Sequence, residues 1–94
     1  MIRSFRDKDT EKVANSEYSR RFPTDIQRRA KMRLDRINAA VVLEDLRVPP
    51  SHRLERLKGE RKNLYSIRIN DQWRVCFRWK EGDAYDVEIV DYHK

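Results

Sequence analysis

The sequence predicts an α+β domain: two helical segments, then a three-stranded antiparallel meander. Three observations carry this. Between Tyr65 and His93, apolar and polar residues alternate in three stretches: Tyr65/Ile67/Ile69, Trp73/Val75/Phe77/Trp79 and Tyr85/Val87/Ile89. A period of two in aromatic and β-branched residues marks half-buried strands. Short linkers, Asn70-Asp71-Gln72 and Glu81-Gly82-Asp83, join the stretches at hairpin length. Upstream, Ile26, Ala30, Leu34, Ile37 and Val41 recur every three or four residues, which is one face of a helix.

The remaining elements follow in chain order. Ile2 and Phe5 flank Arg3 and Ser4 in a short alternation, a further strand at the edge or centre of the sheet. Asp7 or Asp9 caps the first helix, because a carboxylate accepts the orphan N–H groups of a first turn. Val13, Ala14 and Tyr18 supply the buried stripe of that helix, over about residues 9 to 18. Pro23 breaks it. Thr24 with Gln27 fits a capping box for the second helix. The opposite face of that helix carries Arg28, Arg29, Lys31, Arg33 and Arg36. That face reads as solvated charge, with a share open to RNA or an acidic partner.

Pro49-Pro50 ends the segment after Leu46. Residues 51 to 63 then read as a basic loop. It holds Arg53, Arg56, Lys58, Arg61 and Lys62, with Glu55 and Glu60 among them. Leu54 and Leu57 turn inward and Gly59 permits a turn. A loop on a rigid scaffold is a frequent carrier of function.

Composition bounds the class. The 94 residues form one domain, residues 1–94. Charged residues make up 40% of the chain, yet the apolar positions are periodic, so the chain folds and is not disordered. Twenty-two Lys/Arg against sixteen Asp/Glu leave a net charge of +6, which suggests an anionic partner, nucleic acid first. A single cysteine, Cys76, excludes an internal disulfide and reads as a small packing residue inside a strand. No apolar run is long enough for a membrane span, and MIRSFRDKD lacks the apolar stretch of a signal peptide. These absences point to the cytoplasm. Two scattered histidines and one cysteine give no metal-ligand spacing. Two glycines leave no glycine-rich phosphate loop.

Parity sets the expected register, since a one-residue slip exchanges the faces of a strand. A three-residue linker at 70–72 pairs Ile69 with Trp73, Ile67 with Val75 and Arg68 with Arg74. The same length at 81–83 pairs Trp79 with Tyr85, Phe77 with Val87, Val75 with Ile89 and, on the open face, Arg78 with Asp86. Arg78–Asp86 is an ordinary opposite-charge pair. Arg68 opposite Arg74 is a like-charge pair, which costs stability unless an anion sits between the two guanidinium groups, both side chains splay into solvent, or one pairs with Glu55 or Glu60. Tyr92 shares parity with Val90 and falls beside Arg74. His93 follows the strand end and has the pKa range for acid or base work.

Several blocks in this chain resemble a known family. They are L-x-x-L-K-G from Leu54, Y-S-I-R-I-N-D-Q-W-R-V-C-F from Tyr65, and Asp91-Tyr92-His93, with Met1 to Phe5 at the start. Together they resemble the HigB-type toxins, plasmid maintenance killer proteins of the RelE/ParE superfamily, over essentially the whole chain. The resemblance implies a RelE-like β-α-α-β-β-β domain with two helices packed on one face of the sheet. It also implies a type II toxin neutralised by a HigA-type helix-turn-helix antitoxin, reaching operator DNA only through that complex. The implied activity is ribosome-dependent cleavage of mRNA in the decoding site. The ribose 2′-hydroxyl attacks the adjacent phosphate, so neither metal, cofactor nor protein nucleophile is needed.

The implied catalytic residues are Arg74, Lys58, Tyr92, His93 and Glu55. Arg74 and Lys58 supply cations, Tyr92 stacks or orients, and His93 transfers a proton. Glu55 stands where some relatives carry a histidine, and a carboxylate there is a base that also repels phosphate. Arg68, Arg56, Arg61 and Lys62 are expected to bind RNA phosphates, and Asp91 to orient His93. Two other functions compete. One is a ParE-like gyrase poison, against which Tyr92-His93 argues. The other is a non-enzymatic corepressor, which the basic second helix would suit.

Overall fold

A computed structural model describes residues 1–58 and 63–92. Helix α1 (Lys8–Ala14) and helix α2 (Thr24–Ala39) precede strands β1 (Glu55–Arg56), β2 (Leu64–Arg68), β3 (Trp73–Lys80) and β4 (Asp83–Asp91). The strands form one antiparallel sheet in the order β1-β2-β3-β4. Ile2 and Phe5 bridge in parallel to Ala84 and Val87, so the first residues lie along the outer side of β4.

Helix α1 starts where Asp7 caps it, its Oδ1 accepting from the Thr10 backbone N–H at 2.7 Å. It ends earlier than the spacing predicts. Asn15 closes the last turn and Ser16 takes a left-handed φ of 63°. Val13 is buried, but Tyr18 lies beyond the helix and is 61% exposed, so it leaves the expected stripe. The expected capping box of α2 does not form either: Pro23 is the N-cap and no side chain caps the turn. Gln27 instead folds back on the preceding loop, where its Nε2 donates to Ser19 O at 2.6 Å and Phe22 O at 2.9 Å. Ile26, Ala30, Leu34 and Ile37 are buried as the period predicts, whereas Val41 is past the helix end and 75% exposed.

The core lies between the helices and one face of the sheet. Ile67, Ile69, Val75, Phe77, Val87 and Ile89 meet Val13, Phe22, Ile26, Ala30, Leu34 and Ile37 there. Phe22 packs edge-on to Trp73 with ring centroids 5.7 Å apart. Thr10 ties α1 to the sheet, its hydroxyl accepting from the Ile89 N–H at 3.0 Å.

The first hairpin has the expected register, Ile67 opposite Val75 and Arg68 opposite Arg74. The second has it only at one end, where Val75 faces Ile89. Beyond Cys76–Glu88 a β-bulge shifts the ladder, and Arg78 faces Tyr85 while Trp79 faces Ala84. The expected Trp79–Tyr85 and Arg78–Asp86 ladder pairs are therefore wrong, and Ala84 replaces Tyr85 on the core face. The Arg78 and Asp86 side chains still form an ion pair across the bulge. The bulge lies at Asp86, which takes a left-handed φ of 52° with its N–H on Ser4 Oγ at 2.9 Å. Because β4 carries an extra residue, a two-residue turn, Glu81-Gly82, suffices, with φ of 50° and 85°. Both residues at positive φ match the turn that follows strand twist.

Residues 43 to 56 are more ordered than a loop. Two 3-10 turns, Leu43–Arg47 and Pro50–His52, lead into the short edge strand β1. His52 is fully buried beneath them, its Nδ1 3.2 Å from Leu46 O.

Candidate active site

The sheet has a second face, turned away from the helices. Its end near the 70–72 turn forms a cleft of about 330 Å³, walled by Arg53, Glu55, Arg68 and Arg74 with Asn70, Asp71 and Tyr92. Local chemistry builds each wall. Asn70 Oδ1 accepts from the N–H groups of Gln72 and Trp73, both at 2.8 Å, which shapes the turn as an Asx motif. The Tyr92 N–H donates to Gln72 O at 2.6 Å and holds the end of β4 against that turn. Arg53 caps the second 3-10 turn in a left-handed conformation.

Arg74 is the centre of the cleft and is only 7% exposed. Its Nε donates to Ser66 Oγ at 2.8 Å, and one terminal nitrogen donates to Arg53 O at 2.7 Å. The other terminal nitrogen lies 3.6 Å from Glu55 Oε1. The guanidinium carbon sits 5.5 Å from the centre of the Tyr92 ring, in cation–π range. A guanidinium fixed on several sides is a preorganised cation, and preorganised charge stabilises a developing anion without reorganisation.

Arg68 joins the same cleft, but its charge meets Asp71. The expected like-charge clash with Arg74 is thus avoided, since each arginine has its own carboxylate. Arg74 takes Glu55, one of the two carboxylates expected for it, and Arg68 takes Asp71.

The other expected residues divide. Arg56 neighbours Glu55 on β1 and alternation sends it to the opposite face, away from the cleft. Lys58 is exposed and is not among the cleft walls. Asp91 ends β4 opposite Trp73 and accepts from Gln72 Nε2 at 3.2 Å. Arg61, Lys62 and His93 lie outside the described residues. At the far end of the sheet, Arg78 pairs with Asp86 at 3.2 Å as expected.

Arg53, Ser66, Asn70 and Asp71 are the residues that sequence reasoning missed. Arg53 was one of many basic residues in its stretch, with nothing to single it out. Ser66 carried a signal: it is polar and shares parity with Arg68 and Arg74. The α2 arginines also do more than face solvent. Arg29 and Arg33 donate to the carbonyls of Ile69 and Arg68 at 3.4 and 2.8 Å, bracing the start of the turn. Burial first, and then Arg29, Arg68 and Arg36, push the Arg33 pKa below its ordinary value.

Cys76 is buried on the same sheet face as Arg74, two residues along β3 and opposite Ser66, and burial with Glu88 pushes its thiol up to about 11. It is a packing residue and not a nucleophile. No group of three or more His, Cys, Asp or Glu among the described residues is placed to hold a metal ion. No helix of the described chain is long and apolar enough to cross a membrane.

A small basic α+β domain with helices on one face of an antiparallel sheet, and an arginine cleft on the other, defines the class of RelE-like toxins. Within that class the chain belongs to the HigB-like family: the family described as the RelE-like toxin of type II toxin-antitoxin system HigB matches residues 3–93. Toxin HigB-1 of Vibrio cholerae is 36% identical over 95 residues, covering 100% of this chain and 99% of its own. Endoribonuclease HigB of Proteus vulgaris is 31% identical over 93 residues, covering 99% and 100%.

Proposed function

We propose that this toxin is an endoribonuclease that cleaves mRNA in the ribosomal decoding site without a metal, and that a HigA-type antitoxin neutralises it. The observation that carries this reading is Arg74, a nearly buried guanidinium held by Ser66, Arg53 O and Glu55 under the Tyr92 ring. The similarity to Endoribonuclease HigB supports the chemistry.

The reaction is an internal transfer. A base takes the proton of a ribose 2′-hydroxyl, and that oxygen bonds to the adjacent phosphorus. The bond from phosphorus to the 5′-oxygen of the next nucleotide breaks, and an acid protonates that oxygen. The products are a 2′,3′-cyclic phosphate and a 5′-hydroxyl. Arg74 stabilises the extra negative charge of the phosphorane. Glu55 is the carboxylate within reach of that charge and serves as the base. Tyr92 stacks on a base, and His93 is the candidate acid, with Asp91 beside it in sequence.

One assay decides the reading. Purified toxin is added to translating ribosomes, and the mRNA ends are mapped by primer extension. Cuts at codons in the decoding site, and none in ribosome-free RNA, are expected. Intact mRNA together with inhibited DNA gyrase supercoiling would replace this reading with the gyrase-poison one. Intact mRNA and active gyrase, with operator binding of the toxin–antitoxin complex, would leave the corepressor reading.

A further inference from the structure

We propose that Arg53 is the residue of the cleft that captures the substrate's phosphodiester. This rests on the endoribonuclease reading of the same site and assigns a role to a residue outside the expected set.

Charge accounting comes first. Three arginines wall the cleft, Arg53, Arg68 and Arg74. Two carboxylates stand among them, Glu55 at Arg74 and Asp71 at Arg68. Three positive charges against two negative leave one unmatched, and it is on Arg53. Among the described residues its guanidinium has no ion pair and no hydrogen bond, while its backbone N–H donates to Pro50 O at 3.0 Å and its carbonyl accepts from Arg74. One unmatched cation complements the single charge of one phosphodiester.

The side chains also differ in readiness. Arg74 is committed on most of its donors, and Arg68 must release Asp71 before it can grip another anion. Arg53 is exposed, and its fork is free to meet two phosphate oxygens. It therefore makes the first contact, at no cost in broken protein bonds.

The backbone adds a third observation. Arg53 holds φ 45° and ψ 56°, the left-handed region that glycine occupies without strain. The fold needs only the carbonyl of this residue, for Arg74. A glycine would supply that carbonyl more easily, so the long cation at a strained position is explained by a ligand and not by the fold.

This separation gives the test. Arg53→Gly removes the guanidinium, keeps the carbonyl and relaxes the turn. Thermal stability is expected to be unchanged or raised. Cleavage is measured on mRNA in a reconstituted translation mixture, as rate against substrate concentration at two salt concentrations. KM is expected to rise about tenfold, the scale of one lost charge-assisted contact, with kcat held. The salt dependence weakens by about one phosphate contact. Arg53→Lys restores most of the loss and Arg53→Gln restores none, and this pair decides the matter if Arg53→Gly fails to fold.

The inference is overturned if Arg53→Gly and Arg53→Gln cleave like wild type, or if kcat falls with KM unchanged. Arg74→Ala runs alongside. If it is inactive while the Arg53 variants match wild type, only the Arg53 role is lost. If every variant matches wild type, the site reading is lost as well, and if wild type does not cleave, both are.

Discussion

The two hairpins of the sheet put arginines on the same face and use them differently. At the β2–β3 end, Arg68 and Arg74 face each other across a regular ladder, and each is held by a carboxylate off the ladder, Asp71 in the turn and Glu55 on β1. At the β3–β4 end, Arg78 meets Asp86 directly across a bulge. The second pair is more than half exposed on the arginine side and contributes the small energy of a surface ion pair. Arg74 is enclosed, and Ser66, the Arg53 carbonyl and Glu55 all hold it. Enclosure, and not the presence of a cation, distinguishes the site end from the solvated end.

The largest expected effect lies at the enclosed arginine. Arg74→Ala should lower mRNA cleavage by about 100-fold or more, the scale of a lost transition-state donor. It should also cost about 1–3 kcal/mol in a denaturant titration, because Ser66 and the Arg53 carbonyl lose their partner. Full toxicity of this variant in a growth assay would erase the contrast between the hairpins.

The turns should differ next. Gly82 sits at φ 85°, and a Cβ there would come within 3.3 Å of Val41 O. Gly82→Ala is expected to cost about 1 kcal/mol, read as a lower Tm, with cleavage by the folded protein intact. A loss of activity at constant Tm would mean that the bulged hairpin serves the site after all.

A graded effect follows from His52, which underlies the segment leading to Arg53. Burial pushes its pKa below the ordinary 6.5; the hydrogen bond to Leu46 raises it, and Arg33 and Arg36 lower it further. The folded state therefore keeps the ring neutral, while the unfolded chain protonates near 6.5. Its contribution to stability is complete above about pH 6.5 and is lost as pH falls from there toward the lowered folded value. The Tm should drop over that window, and His52→Gln should flatten the slope. An unchanged slope in that variant would assign the acid sensitivity to other groups.

The smallest effect belongs to the solvated end. Arg78→Ala should change stability by less than about 0.5 kcal/mol and leave cleavage alone. A tenfold loss of cleavage would extend the site along the whole sheet.

Much of this contrast was legible in the sequence, and its limits are physical. Parity alone placed Arg68 against Arg74 and Tyr92 beside them, because a slip would have turned Ile67 and Val75 out of the core. Parity could not reveal the bulge, since Tyr85, Val87 and Ile89 read as one unbroken alternation, whereas the extra residue at Asp86 puts Ala84 in the core and Tyr85 opposite Arg78. The cap of α2 was misread because Gln27 found stronger partners in the preceding loop than in its own first turn. Arg53 was hidden for another reason: its distinction lies in backbone conformation and in the neighbours it lacks, and neither has a compositional trace. Arg56 and Lys58 seemed equivalent to it until β1 gave that stretch a direction.

The parallel seam between the first residues and β4 also orders events in time. Ile2 and Phe5 bind Ala84 and Val87, partners about eighty positions away in the chain. Contacts of such separation carry a large loop-closure cost and slow folding. The seam and the cleft share β4, since Tyr92 continues the strand that the first residues edge. A nascent chain still lacking β4 has neither a closed sheet nor a ring beside Arg74. The N-terminal residues, made first, thus wait for the same strand that completes the cleft.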